Sequence, residues 1–114
     1  MRRLGNKGED LAVRFLKKKG YRIIARNFKT PLGEIDIIAD DGGALVFVEV
    51  KTRTGDSFGQ PFEAVHYRKK DKLRRVALWY LKQAKKEMPS RFDVVSIQTD
   101  GGKNAIEHIV DAFE

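Results

Sequence analysis

Residues 33–51 read GEIDIIADDGGALVFVEVK. Two apolar runs flank Asp40-Asp41-Gly42-Gly43. An Asp-Gly pair between such runs is a strong signal for a β-hairpin. The first run predicts a strand over Glu34–Ala39 and the second a strand over Ala44–Lys51. Ile35, Ile37, Ile38, Leu45, Val46, Phe47, Val48 and Val50 suit a buried sheet. Asp36, Glu49 and Lys51 do not. An ionised group is disfavoured in apolar surroundings unless it is paired, hydrogen-bonded or bound to metal.

Side chains alternate faces along a strand, so Glu49 shares a face with Phe47 and Lys51, and Asp36 with Glu34 and Ile38. A two-residue turn at Asp41-Gly42 sets Asp36 opposite Phe47, on the face of Glu49 and one diagonal step from it. Diagonal neighbours lie roughly 7–8 Å apart at Cα, close enough for two carboxylates to share an ion. A three-residue turn would send the two acids to opposite faces. Oxygen-only ligands suit a hard cation such as Mg²⁺ or Mn²⁺. Such an ion can activate water and stabilise charge on a phosphoryl oxygen. An ammonium at Lys51 can orient the attacking water or stabilise the developing charge. The plainer alternative is an exposed Glu49–Lys51 pair with Asp36 at a sheet edge, since charges on a strand face are usually solvated.

Around this hairpin the chain alternates between helix and strand signals. Asn6–Lys19 predicts a helix, with Leu11, Ala12, Phe15 and Leu16 on one face. Lys17, Lys18 and Lys19 suit its C-terminal end, and Gly20 its termination. Tyr21–Phe28 predicts a strand, followed by a turn at Thr30-Pro31-Leu32-Gly33. Thr52–Pro61 reads as a loop. Ala64–Glu87 predicts a long helix with an apolar stripe of Val65, Leu73, Val76, Ala77, Tyr80, Leu81 and Ala84. Arg91–Gln98 predicts another strand, in which Asp93 interrupts the apolar residues to cap or to pair with a basic side chain. Ala105–Phe113 fits either a short helix or a strand ending in a turn. The order predicts an α/β fold, with helices packed on a mixed sheet.

The 114 residues suggest a single domain, 1–114, large enough for a real core. No apolar run approaches the roughly 20 residues that span a bilayer. The N-terminal MRRLGNKGED turns charged before a signal-peptide core could form. With 0 cysteines there is neither a disulfide framework nor a thiolate zinc site. A cytoplasmic protein that does not enter a membrane is the expectation. His66 and His108 lack the spacing of a ligand pair. Neither a GxSxG nucleophile motif nor a P-loop occurs. Lys and Arg total 23 against 16 Asp and Glu, a net charge of +7, which favours a polyanionic partner.

Asp36 followed by Glu49-Val50-Lys51 resembles the PD-(D/E)xK motif of restriction-endonuclease-like nucleases. The longer runs NKGEDLAVRFLKKKGYRIIARN, GEIDIIA and FVEVKTR resemble the small bacterial YraN-like family, itself similar to archaeal Holliday-junction resolvases. The likeness covers nearly the whole chain. It implies a restriction-endonuclease-like mixed β-sheet flanked by α-helices. It implies Mg²⁺ or Mn²⁺ bound by Asp36 and Glu49, the Val50 carbonyl as a further ligand, and Lys51 as the catalytic lysine. In the resolvases an acidic residue of the first helix completes the site, and Glu9 matches it. Glu9 also has the spacing of a capping box with Asn6. The motif's proline is replaced by Ile35. The resolvase likeness further implies branched DNA and a homodimer, although no residue specifies either.

The long helix carries Lys69, Lys70, Lys72 and Arg74 as candidate nucleic-acid contacts; a solvated helix face is the alternative. Arg53 extends the catalytic strand toward a phosphate. Gln60, Lys69 and Lys72 could line the groove. Tyr67, Trp79 and Tyr80 have the helical spacing of packing residues rather than base-stacking platforms. The first reading is a metal-dependent nuclease acting on DNA. The second is a nucleic-acid-binding module on a nuclease fold with little or no hydrolytic activity. A third is an interaction subunit of a larger DNA-processing assembly.

Overall fold

The computed structural model describes residues 6–54, 67–85 and 87–113, excluding the side chains of residues 6, 54, 67 and 68. Along the chain run α1 (Asn6–Lys18), β1 (Arg22–Thr30), β2 (Gly33–Asp40), β3 (Leu45–Thr54), α2 (Tyr67–Ala84), β4 (Ser90–Asp100) and β5 (Lys103–Phe113). Among the described residues the five strands form one sheet in the order β1-β2-β3-β4-β5. β3 and β4 are parallel, and the other neighbours are antiparallel. A parallel pair needs a crossover connection, and α2 lies in it. The result is a mixed α/β sheet with two helices, compatible with the restriction-endonuclease-like fold.

The helices cover opposite faces of the sheet. On one face Ala12, Val13 and Leu16 of α1 pack with Ile37, Ala39, Val46, Val48, Val95 and Ile97. On the other, Leu73, Val76 and Ala77 of α2 pack with Ile35, Ile38, Leu45, Phe47 and Val94. The alternation of Leu45, Val46, Phe47 and Val48 between the two cores places Glu49, in step with Leu45 and Phe47, on the α2 face. Tyr80 meets Phe28 and Phe47 edge-on, and Trp79 meets Phe28, so both aromatics pack as expected. Each large apolar side chain fully buried in these layers contributes about 1.5–3 kcal/mol. Among the described residues no helix is long and apolar enough to cross a membrane.

Several boundaries depart from expectation. The hairpin loop is not a two-residue turn. β2 and β3 pair from Asp40↔Leu45 to Ile37↔Val48, leaving residues 41–44 as the loop. The Asp41 N–H donates to the Ala44 carbonyl at 3.2 Å, and the Gly42 N–H donates to Asp40 Oδ1 at 2.8 Å. Gly42 takes a φ of 95°, a conformation that favours glycine. The longer loop moves the pairing by two residues, so the side chains of the paired stretch from Ile37 to Asp40 keep their expected faces. α2 stops at Ala84 rather than Glu87, because Lys85 turns left-handed at a φ of 52°. Of the two alternatives for the last element the strand is the one formed, and it starts at Lys103 rather than Ala105. Val65, His66, Gln60 and the Tyr67 side chain lie outside the described residues.

Candidate functional site

Asp36 sits where the sheet opens. In β1, Arg26 pairs with Ile37 and Phe28 with Ile35, while Asn27 between them turns left-handed at a φ of 50°. Asparagine tolerates that conformation better than most residues. On the other side the β2–β3 ladder runs only as far as Ile37↔Val48. Ile35 and Ile37 then face different cores, although two residues apart they would share a face in a regular strand. At this discontinuity the backbone N–H of Val50 donates to Asp36 Oδ2 at 2.8 Å, joining β3 to β2 through a side chain. In a strand the N–H and C=O of one residue point to the same side, so the Val50 carbonyl also faces β2.

Asp36 is pushed up to about 6 from an ordinary carboxylate value. Burial is the main cause, and the negative charge of Glu49 adds to it. The Val50 N–H and the Lys69 charge oppose the shift, and Glu9 contributes a smaller upward push. Asp36 and Glu49 therefore stand close enough to repel. Glu49 is itself buried, with a side chain only 6% exposed.

Two cations answer Glu49. Lys69 Nζ, from the first turn of α2, lies 2.5 Å from Glu49 Oε1, and Lys51 Nζ lies 3.6 Å from the same oxygen. Burial pushes Lys51 down, and the neighbouring Lys69 charge pushes it further than Glu49 restores it. Burial works most strongly against the Lys69 ammonium, but its hydrogen bonds to Glu49 and Lys51 and the charges of Glu49 and Asp36 together outweigh it, and its pKa is raised. Lys69, expected to line a nucleic-acid groove, thus belongs to the acidic centre.

Glu9 is brought near but is otherwise engaged. Its Oε1 accepts from Arg26 Nε at 2.9 Å and from Asn27 Nδ2 at 3.1 Å, while Arg26 also reaches Asp10 at 2.6 Å. Neither Arg26 nor Asn27 was singled out from the sequence. The sole hint was an asparagine inside a strand signal. Gly8 was missed as well. A Cβ there would stand 2.1 Å from Thr52 Oγ1 and 3.3 Å from Thr52 Cβ. This glycine lets the first turn of α1 press against β3 one residue past Lys51 and carries Glu9 to the site.

The remaining basic candidates diverge. Lys70 Nζ and the Arg74 guanidinium stand over the Phe113 ring at 5.5 and 5.7 Å. Lys72 points to solvent, and Arg53 is half-buried near the end of β3. Among the described residues no three His, Cys, Asp or Glu side chains form a ready metal cage.

Residues 8–97 match the model of the uncharacterised protein family UPF0102. The chain belongs to that family. A UPF0102 protein of Thermodesulfovibrio yellowstonii is 51% identical over 110 residues, covering 96% of this chain and 95% of that one. One from Syntrophomonas wolfei is 49% identical over 113 residues, covering 98% of each. A third, from Symbiobacterium thermophilum, is 54% identical over 98 residues, covering 85% of this chain and 83% of that one. The UPF0102 match agrees with the YraN-like resemblance and reaches both halves of the centre, from Gly8 beyond Lys69 to Ile97.

A second cluster lies on the α1 face. Asp93 is fully buried and accepts from Arg91 Nε at 3.0 Å, from His108 Nε2 at 2.7 Å and from the Asp111 N–H at 2.9 Å. Lys19 Nζ donates to His108 Nδ1 at 2.8 Å, and Arg91 also bonds Asp41 and Tyr21. Burial alone would lift Asp93, but these hydrogen bonds outweigh it and hold the carboxyl below its ordinary value. Arg91 is raised in return, its bonds to Asp93 and Asp41 exceeding the effect of burial. This is the basic partner expected for Asp93. Its donors and acceptors answer one another, so it reads as a structural staple.

Proposed function

We propose that this UPF0102 protein is a metal-dependent nuclease of the restriction-endonuclease-like class that hydrolyses phosphodiester bonds in DNA. The observation that carries this reading is the pair Asp36 and Glu49. They are two mutually repelling carboxylates on neighbouring strands, Glu49 buried and Asp36 half-buried, with Lys51 beside Glu49. Mg²⁺ is commonly held by one or two carboxylates together with water and substrate phosphate, so a ready three-acid cage is not required. Asp36 and Glu49 would hold the ion, with the Val50 carbonyl as a third protein oxygen. When bound, the ion supplies neutralising charge at the phosphoryl group.

The chain's own groups supply the rest. The Val50 N–H fixes the Asp36 carboxylate. Glu49 and burial position Lys51, whose ammonium orients the attacking water or stabilises charge gathering on the phosphoryl oxygens. Glu9, held by Arg26 and Asn27, adds negative charge to the centre without touching Asp36 through any described hydrogen bond. The net charge of +7 suits a polyanionic substrate. The resolvase likeness extends the proposal to branched DNA and a homodimer, and the composition extends it to a cytoplasmic location.

A nucleic-acid-binding module without hydrolysis is the competing reading. The engagement of Glu49 by two lysines favours it. A panel of linear, nicked, flapped, single-stranded and four-way DNA, incubated with Mg²⁺ or Mn²⁺, separates the two. Cleavage by wild type and its loss in Lys51→Ala supports the nuclease. Binding without cleavage of any substrate supports the module.

A further inference from the structure

Lys69 stands apart from the other basic residues of α2. Its ammonium is 2.5 Å from a carboxylate oxygen whose side chain is only 6% exposed, whereas Lys69 itself is 41% exposed. The contact joins α2 to β3, two elements otherwise held together through the apolar core. Lys51, two residues from Glu49 on the same strand, sits farther from that oxygen at 3.6 Å. A divalent cation using Glu49 Oε1 would meet two ammonium groups there. Like charges at such spacing repel strongly in a partly buried site. The group able to leave is the exposed one, carried by a different element.

We propose that Lys69 is the resident counter-ion of Glu49 in the metal-free protein, released by divalent metal to grip a phosphate of the nucleic acid. The inference rests on the proposed metal site. It assigns Lys69 two successive partners of like chemistry, a carboxylate and a phosphate oxyanion. A long flexible lysine stem suits such an exchange better than the planar fork of an arginine. Before the exchange, the carboxylates and lysines neutralise one another and hold the site together. After it, the metal neutralises the acids, and one positive charge becomes free beside the bound ion. Metal binding and nucleic-acid binding are then coupled through one side chain, each favouring the other.

The test uses Lys69→Met, which keeps the aliphatic stem and removes the charge, with Lys69→Gln as a second variant. Mn²⁺ affinity is measured by titration calorimetry, with Glu49→Gln as the control. DNA affinity is measured by anisotropy on a phosphorothioate duplex, which resists hydrolysis, across a salt series in EDTA and again in Mn²⁺. Removing the competing cation should tighten Mn²⁺ binding about tenfold. In EDTA wild type and both Lys69 variants should share one slope of log affinity against log salt. In Mn²⁺ the wild-type slope should be steeper by about one unit, the signature of one added phosphate contact. Equal Mn²⁺ affinity in wild type and both variants would overturn the counter-ion role while leaving the metal site standing. A slope difference already present in EDTA would overturn the exchange, since Lys69 would then reach phosphate without metal. If wild type, both Lys69 variants and Glu49→Gln all fail to bind Mn²⁺, the metal site falls and the inference falls with it.

Discussion

The backbone N–H of Val50 donates to the carboxylate of Asp36 across 2.8 Å. A strand amide that would ordinarily bond a neighbouring carbonyl instead holds an acid in place. The bond lies where the β2–β3 ladder ends and where β1 turns left-handed at Asn27. The sheet thus gives up regular pairing at the position where it presents its acid. Backbone irregularity of this kind gathers at functional sites.

Holding that acid is costly, and the cost is measurable. Burial and Glu49 raise Asp36 to about 6, above its value in the unfolded chain. The folded protein therefore binds this proton more tightly than the unfolded one. The penalty is absent below the unfolded pKa near 4, grows as pH rises, and is complete above the folded pKa near 6. Asp36→Asn should raise stability in EDTA by about 1–3 kcal/mol at pH 7 and leave it unchanged near pH 3.5. Urea titrations at both pH values check this. Equal destabilisation at both would mean that Asp36 contributes to the fold rather than straining it.

Asp93 has the opposite sign. Its folded pKa lies below the unfolded value because His108, the Asp111 N–H and Arg91 favour the ionised form against burial. Its contribution is complete above the unfolded pKa and is lost as pH falls through the folded one. Asp93→Asn should destabilise the protein by about 3 kcal/mol at pH 7, because it leaves Arg91 and His108 without their shared carboxylate. The gap from wild type should narrow steadily below pH 4. Thermal melts of both proteins across that range read the trend, and a gap independent of pH would rule out charge as its source.

The hairpin was legible because two apolar runs met at Asp41-Gly42. The faces of Ile37 to Asp40 were legible because strand parity survives a loop lengthened by two residues, whereas the break between Ile35 and Ile37 that sets Asp36 against the Val50 N–H was not. The loop length was hidden in two local bonds, from Gly42 to the Asp40 side chain and from Asp41 to the Ala44 carbonyl. The last strand was ambiguous for a related reason. Between Val94↔Ile109 and Phe92↔Phe113, β5 carries two more residues than β4, and Asp111 turns to a φ of 54°. That bulge spoils the two-residue alternation that would have marked a strand. The reach of Lys69 to Glu49 depends on how α2 crosses β3, which no spacing within the helix encodes.

The basic helix makes a prediction about binding. Lys70 and Arg74 stand over Phe113, and Lys72 points outward, so their charges lie away from the acidic centre. If this face contacts phosphates, reversing Lys70, Lys72 and Arg74 to Glu should weaken DNA binding. The slope of log affinity against log salt should flatten by up to about three units. Loss of the two ring contacts should cost only about 0.5–1 kcal/mol each in stability, so a melting curve distinguishes weaker binding from unfolding. An unchanged slope would assign this helix face to bulk solvent.

Lys51 separates a nuclease from a binder most directly. Its ammonium lies beside Glu49, is pushed down by burial and by Lys69, and comes from the strand that carries Glu49, one of the two acids of the proposed metal site. A group acting on the attacking water or on charge in the transition state should matter to the chemical step and little to association. Loss of one such positioned group costs roughly 10²–10³ in rate. Loss of one ordinary phosphate contact would instead trim affinity and lower the salt slope by about one unit. Lys51→Ala should therefore bind Mn²⁺ and DNA within a few-fold of wild type and cut at least about a hundredfold more slowly under single-turnover conditions. Cleavage at the wild-type rate would place the chemistry elsewhere in the chain. Weakened DNA binding with a shallower salt slope, and no cleavage by wild type, would make Lys51 a docking residue and the protein a binding module.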